Sequence, residues 1–270
     1  MRGCLMSWIL STAVALPLFG QPTSRAQAKP NLNGIWQAMN TANWDLVTHA
    51  ARPALMTVPG PVAPIPAAPV LAFGAVGAVP GGIGVVEGDE IPYQPWALAK
   101  KRENAEHWIT SDPEVKCYLP GVPRVTYMPF PFQIVQSANT ILISYEFAGA
   151  TRTINMGKPT EAQTESWMGW SNGHWEGSTL VVDVTGQNAK TWFDRAGDFH
   201  SEALHVVERY TPRGTDLLMY EATIEDPKVF TRPWKISMPL YRRVDKNMQL
   251  VEFNCVEFVE ELLYGQYRKK

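Results

Sequence analysis

Beyond residue 130 the chain alternates apolar and polar positions with a period of two, in short runs broken by Gly, Pro, Asn and Asp. The alternation predicts strands at 131–136, 140–147, 151–156, 179–185, 203–210, 217–224, 234–241 and 250–258. In the second run Ile141, Ile143, Tyr145 and Phe147 share one face, and Leu142, Ser144 and Glu146 the other. Glu146 and Arg152 flank the Ala148-Gly149-Ala150 turn, placed to pair across a hairpin. A further hairpin turn reads Glu176-Gly177-Ser178. In the 217–224 run Glu221 faces the same way as Leu217 and Met219, which makes it a candidate inward carboxylate. Strands spaced by roughly ten residues, with turns between them, argue an all-β sandwich or barrel. Open sheet edges invite aggregation, so a single antiparallel meander β-barrel is the predicted fold.

The stretch 168–211 concentrates the plausible chemistry. Residues 186–201 form a loop of about 16 residues, long enough to suggest function rather than simple connection. It contains Trp192, Phe193 and Phe199, and also Asp194, Arg195, Asp198 and His200. In the strand that follows, Leu204, Val206, Glu208 and Tyr210 share one face; His205, Val207 and Arg209 share the other. Ionisable groups on both faces fit a strand with one face in solvent and the other lining a polar-tinted cavity. The alternative for Glu208 and Arg209 is a surface ion-pair ladder.

Elsewhere the pattern changes. Residues 51–90 are rich in Ala, Pro, Gly and Val and nearly uncharged, with prolines at 53, 59, 61, 64, 66, 69 and 80. Proline at that density excludes helix interior and central strand, so an extended or mobile low-complexity insertion is expected, serving as linker or lid. One helix is predicted, at 95–108, with Pro95 at its first position and Trp96, Ala99 and Trp108 docking on the sheet. Arg124 closes a turn-rich segment and either pairs at long range or binds an anionic ligand group.

The first 28 residues read as a secretory signal: Arg2, an apolar stretch over 5–19, and Ala26-Gln27-Ala28 as the cleavage site. The apolar stretch is too short and interrupted to span a bilayer. Residues 29–270 are expected to form a single β-barrel domain in the periplasm or outside the cell, with 51–90 inserted in it. Cys4 leaves with the signal, and Cys117 and Cys255 are expected to pair in an oxidising compartment. A net charge of -2 without a basic block argues against nucleic acid and anionic membranes as partners.

The opening Gly34-Ile35-Trp36 resembles the first strand of lipocalin-type barrels. In that family the Trp closes the barrel bottom against a basic side chain from a late strand, a part for which Arg242, Arg243 and Arg268 are the candidates. The chain is longer than a typical lipocalin and lacks that family's later Thr-Asp-Tyr motif. Three further stretches also resemble a group of exported bacterial proteins for which no activity is established. They are 112–124 with 129–133, Trp175-Glu176-Gly177 with Leu180-Val181-Val182-Asp183, and Asp194-Arg195-Ala196-Gly197 with His200. This resemblance implies export and a single domain, and no reaction.

Nucleophile-elbow, Walker, dinucleotide and zinc-protease signatures are absent from the sequence. Asp194, Asp198, His200 and His205 would be the ligands of any metal site, but their spacing matches no standard zinc pattern, and no cofactor is expected. With 10 Trp in the chain, a barrel holding a small, largely apolar or aromatic molecule is the leading expectation. Trp192, Phe199, Tyr145, Glu146, Arg152, Glu221 and Arg124 are its candidate ligand-binding residues. The alternative is a cofactor-independent lyase, isomerase or hydrolase at the barrel mouth. There His200 or His205 would be the base, Asp194 or Glu208 the orienting carboxylate, and Arg209 or Arg152 the stabiliser of negative charge. A partner-binding protein of the cell envelope is the third reading.

Overall fold

The computed structural model describes residues 29–52, 79–253 and 255–257. The expected signal peptide, most of the expected insertion and Arg268 lie outside them. The alternating runs assemble into one sheet of nine strands that closes into a barrel in chain order. The strands are β1 (Gly34–Ala38), β2 (Phe132–Gln136), β3 (Thr140–Tyr145), β4 (Thr151–Asn155), β5 (Trp170–Glu176), β6 (Thr179–Thr185), β7 (His205–Pro212), β8 (Leu217–Glu225) and β9 (Trp234–Arg242). β1 closes the ring, pairing with β2 through Trp36 and Phe132 and with β9 through Trp36 and Arg242. Every joint is antiparallel except β4–β5, which is parallel and holds only two residue pairs, Ile154–Ser171 and Asn155–Asn172. Among the described residues, 151–153 have no partner on the β5 side, and Ser166 bridges Gln187 instead.

Alternate residues fill the interior: Phe132, Ile134, Ile141, Ile143, Ile154, Val206, Ile224 and Ile236 are buried. Trp36 sits at one end, and its indole N–H donates to the Leu32 carbonyl (3.0 Å). The Arg242 guanidinium lies 4.2 Å over the Trp36 ring and donates to the Asn33 and Thr215 carbonyls. Arg242 is therefore the basic residue that covers the Trp, while Arg243 reaches Gln37 and Asp245 instead. A Cβ on Gly34 would lie 2.0 Å from that guanidinium, and Gly34 has φ +140°, so only glycine fits there.

Two predicted elements differ. Residues 250–253 and 255–257 form no strand; the ring is already closed by β1 and β9, and this segment runs outside it. Residues 79–90, expected within the insertion, belong to the fold. Arg52 bridges Val79, His49 bridges Gly82, and buried Val86 bridges Ile236 of β9.

Three helices cover one end of the barrel: α1 (Pro95–Glu106), α2 (Trp108–Ser111) and α3 (Arg124–Tyr127). Trp96 and Ala99 do not dock as expected; α1 buries Ala97 and Asn104 and leaves Trp96 56% exposed. It packs on the 186–204 loop rather than on the sheet: Asn104 donates to the Gly197 carbonyl (3.2 Å), and a Cβ on Gly197 would come within 2.6 Å of the Lys101 carbonyl. Trp108 is buried, edge-on to Trp44. No helix among the described residues is long and apolar enough to cross a membrane.

Cys117 and Cys255 form the expected disulfide, with Cα atoms 5.8 Å apart and 138 positions between them in sequence. It ties the segment after β9 to the turn that follows α2. A loop of that size restricts the unfolded chain strongly. Replacing both cysteines by serine is expected to lower the unfolding free energy by about 3–5 kcal/mol in urea denaturation. An unchanged midpoint would show that the bond adds no stability.

Candidate functional site

The β4–β5 joint opens into a cleft of about 440 Å³. Leu119, Trp167, Met168 and Trp170 border it, with Arg152 of β4 and Ser171 of β5 among its lining residues. The short ladder creates this space, because strands that part after two residue pairs leave a gap in the wall. Tyr118 packs on Trp167 at 4.9 Å between ring centroids, placing the disulfide-anchored 117–119 segment against one wall. Trp170 is 40% exposed at the rim and donates its indole N–H to Thr160 (3.0 Å).

Alternation turns Arg152 inward beside Ile154, and Glu208 inward beside Val206 and Tyr210. The two meet inside the barrel as a bidentate pair. Arg152 Nε also donates to Ser171 Oγ (2.9 Å). Glu208 Oε1 accepts from Tyr210 (3.0 Å) and Tyr220 (2.9 Å) as well. Burial disfavours the Arg152 charge, yet the Glu208 carboxylate outweighs burial and holds the guanidinium well above its ordinary pKa. Burial, then the Glu208 charge, pushes the Tyr210 and Tyr220 phenols well up, so both are hydroxyl donors at neutral pH. Tyr145 is buried in the same interior, where burial raises its phenol against the opposing pull of Arg152. Glu208 thus carries four donors, two from Arg152 and one each from Tyr210 and Tyr220, and stabilises the Arg152 charge.

A second polar cluster lies under α1. Asp45, Asp194 and Asp198 bring carboxylate oxygens within 4.8 Å of one another. Asp194 accepts from the Leu46 (2.9 Å) and Asp198 (3.1 Å) amides, and Asp198 accepts from the Tyr93 hydroxyl (2.6 Å). Lys101 Nζ stands 3.4 Å from Asp198. Burial and then the Asp198 charge push the Asp194 carboxyl well above its usual range, and the same two causes raise Asp45. Lys101 is raised in turn: burial opposes its charge, and the carboxylates of Asp198, Asp194 and Asp45 outweigh burial. Asp194 and Asp198, two of the four expected metal ligands, meet here; His200 and His205 do not join them.

His200, two positions after Asp198, is buried beside Thr191 and Ser201. The Ser201 carbonyl can only accept, so Nδ1 carries the proton, and Nε2 accepts from Thr191. Burial lowers the His200 pKa and keeps it neutral. His205 and Arg209 point outward from β7: His205 sits between Asp183 (3.0 Å) and Glu225 (3.8 Å), and Arg209 donates to Glu176 (2.7 Å). Arg209 fits the surface ladder; Glu208 does not, because it lies inside. His200, His205, Asp194 and Glu208 therefore have different hydrogen-bond partners, and none of the four lines the β4–β5 cleft.

Other placements differ from expectation. Arg152 pairs with Glu208, not across the hairpin with Glu146, which accepts from the Val251 amide (3.1 Å). Glu221 lies on the outer face, 30% exposed and 3.7 Å from Lys235, because Leu218, Tyr220 and Ala222 are the inward residues of β8. Arg124 pairs structurally rather than binding an anion: it holds Asp112 with two bonds (2.7 and 2.8 Å), Glu114 (2.7 Å) and Asn43 (2.9 Å). Its acidic partners lie only 12 and 10 positions upstream in the chain. Glu114 also accepts from Arg195, whose guanidinium stacks over Trp44 at 4.2 Å. Trp192 packs against Trp108 and Ile109, and Phe199 against Tyr93 and Trp96. Of the expected ligand-binding set, only Arg152 borders the cleft.

The 168–211 stretch takes in Met168, Trp170 and Ser171, but neither they nor Trp167, Lys101 and Asp45 are among the expected site residues. The inward parity of Arg152 and Glu208 was readable from their neighbours. A second concavity, of about 430 Å³, lies at the Trp36 end, where Arg242 is already engaged. Comparison of the chain with known protein families, with curated proteins and with solved structures found no match.

Replacing Lys101 by Met keeps the aliphatic stem and removes the cation. At neutral pH this is expected to cost about 2–4 kcal/mol, below the value for a fully buried pair because Lys101 keeps 21% of its side chain exposed. A carboxyl raised in the folded state takes up its proton there first, so acidification relieves the repulsion. The deficit of the variant should therefore narrow from pH 7 to pH 5 in urea titrations. A deficit that widens on acidification would contradict this account of Asp194.

Proposed function

We propose that this protein is an exported, lipocalin-like binding barrel, and that it holds a small, largely apolar or aromatic molecule in the β4–β5 cleft. The observation that carries the reading is the cleft itself. Its volume of about 440 Å³ lies in the range of small-molecule sites, two indoles and a thioether line it, and all but one of the polar side chains beside them are uncharged. The disulfide suits an oxidising compartment. The Trp36–Arg242 contact is the barrel-closing device that the lipocalin resemblance implies.

The acid–base alternative has less support. Its carboxylates and histidines lie apart, Glu208 is saturated with donors, and both ring nitrogens of His200 are engaged.

The test is a titration with the neutral fluorescent probe N-phenyl-1-naphthylamine. Saturable binding is expected, and Trp167→Ala should weaken it about tenfold or more, since a buried aromatic wall contributes on the order of 1.5–3 kcal/mol. Circular dichroism of the variant should match that of the parent. Absence of binding, or binding indifferent to Trp167→Ala and Trp170→Ala alike, would remove the cleft from consideration.

A further inference from the structure

We infer that the cleft selects neutral, planar aromatic compounds carrying a hydrogen-bond acceptor, the aryl ketones and quinones being the simplest class, and discriminates against carboxylates; this rests on the proposed binding reading. The first argument is charge. Among the described residues, Arg152 is the only ionisable side chain that borders the cleft. It is paired with Glu208, which is fully buried and accepts from two tyrosine hydroxyls and both terminal guanidinium nitrogens. A carboxylate entering beside Arg152 would have to share a cation already matched. It would lose its hydration and leave net negative charge next to a buried anion, which is costly in a site of low polarity. The arrangement thus differs from an anion site, where an arginine stands uncompensated.

The second argument is the kind of polar group on offer. Ser171 Oγ accepts from Arg152 Nε, and its own proton reaches no acceptor among the described residues. Arg152 uses three of its five N–H groups in the bonds to Ser171 and Glu208. The Asn155 amide beside them is committed: its nitrogen donates to the Lys158 carbonyl and to Asn172, and its oxygen accepts from the Gly157 amide. Ser171 therefore offers a donor beside the Thr151 and Thr153 hydroxyls that also line the cleft, and a carbonyl oxygen is the group that answers a donor without adding charge. Trp167 and Trp170 supply flat π faces, and Met168 a polarisable contact, which favour a planar ring system over an aliphatic chain.

The experiment displaces N-phenyl-1-naphthylamine with three matched compounds: 2-acetylnaphthalene, 2-ethylnaphthalene and 2-naphthoate. The expected order is ketone tightest, hydrocarbon next, and carboxylate at least tenfold weaker than the ketone. Ser171→Ala should weaken the ketone about three- to tenfold, the worth of one hydrogen bond, and leave the hydrocarbon unchanged. The parent ranking tests the inference even if that variant fails to fold. Tightest binding by the carboxylate, or equal binding of ketone and hydrocarbon, overturns the selectivity while leaving the cleft a binding site. If neither the probe nor any of the three binds, the binding reading and the inference fall together.

Discussion

A guanidinium inside a barrel has to be matched by charge and by hydrogen bonds, and the pairing of Arg152 with Glu208 meets both requirements. The pair joins β4 to β7 across the interior, fixes Ser171 of β5 through Nε, and recruits Tyr210 and Tyr220 as donors. Such a pair is not a large source of net stability, because desolvation offsets most of the attraction. Its effect is specificity. Loss of either partner would strand a buried charge, so the register of β4 against its neighbours is the arrangement in which both charges are satisfied.

The cleft and the pair are two sides of one local structure. β4 meets β5 over only two residue pairs, and two buried residues of the interior network, Arg152 and Ser171, line the gap that the parting leaves. Around it the molecule is pinned. The disulfide holds the 117–119 wall, while Arg124, buried among Asp112, Glu114 and Asn43, holds the segment that leads from that wall into β2. The Lys101 cluster does the same for α1 and the long loop. Polar groups buried in this protein thus sit mainly where irregular chain must be held against a regular sheet.

Much of the barrel was legible in the sequence, because alternation reports which residues face inward; β2, β3, β6, β8 and β9 lie within a residue or two of their expected bounds. The 250–258 run shows the limit of that signal. It alternates well enough, but a closed ring has no edge left to receive it. Residues 79–90 show the converse, a proline-flanked segment that pairs because β9 offers Val86 a partner. The site was less legible. Arg152 was identified as a candidate, but its cross-barrel partner Glu208 lies 56 positions away. Trp167 carries no periodicity to mark it, since it belongs to the crossover before β5, and Trp170 is only the first residue of that strand. Loop chemistry drew attention to His200 and Asp194, where the polar residues serve the loop's own fold.

Nine is an odd number, and direction around a ring behaves like a sign that flips at each step. A cycle of odd length cannot alternate throughout, so at least one pair of neighbours must run the same way. The break in alternation is therefore a topological obligation. Substitutions within a strand can reshape the cleft or close its mouth, but they cannot restore a uniform wall. Only gaining or losing a whole strand would do so. The cleft proposed for a small molecule is the place at which the barrel's own geometry is obliged to be inconsistent.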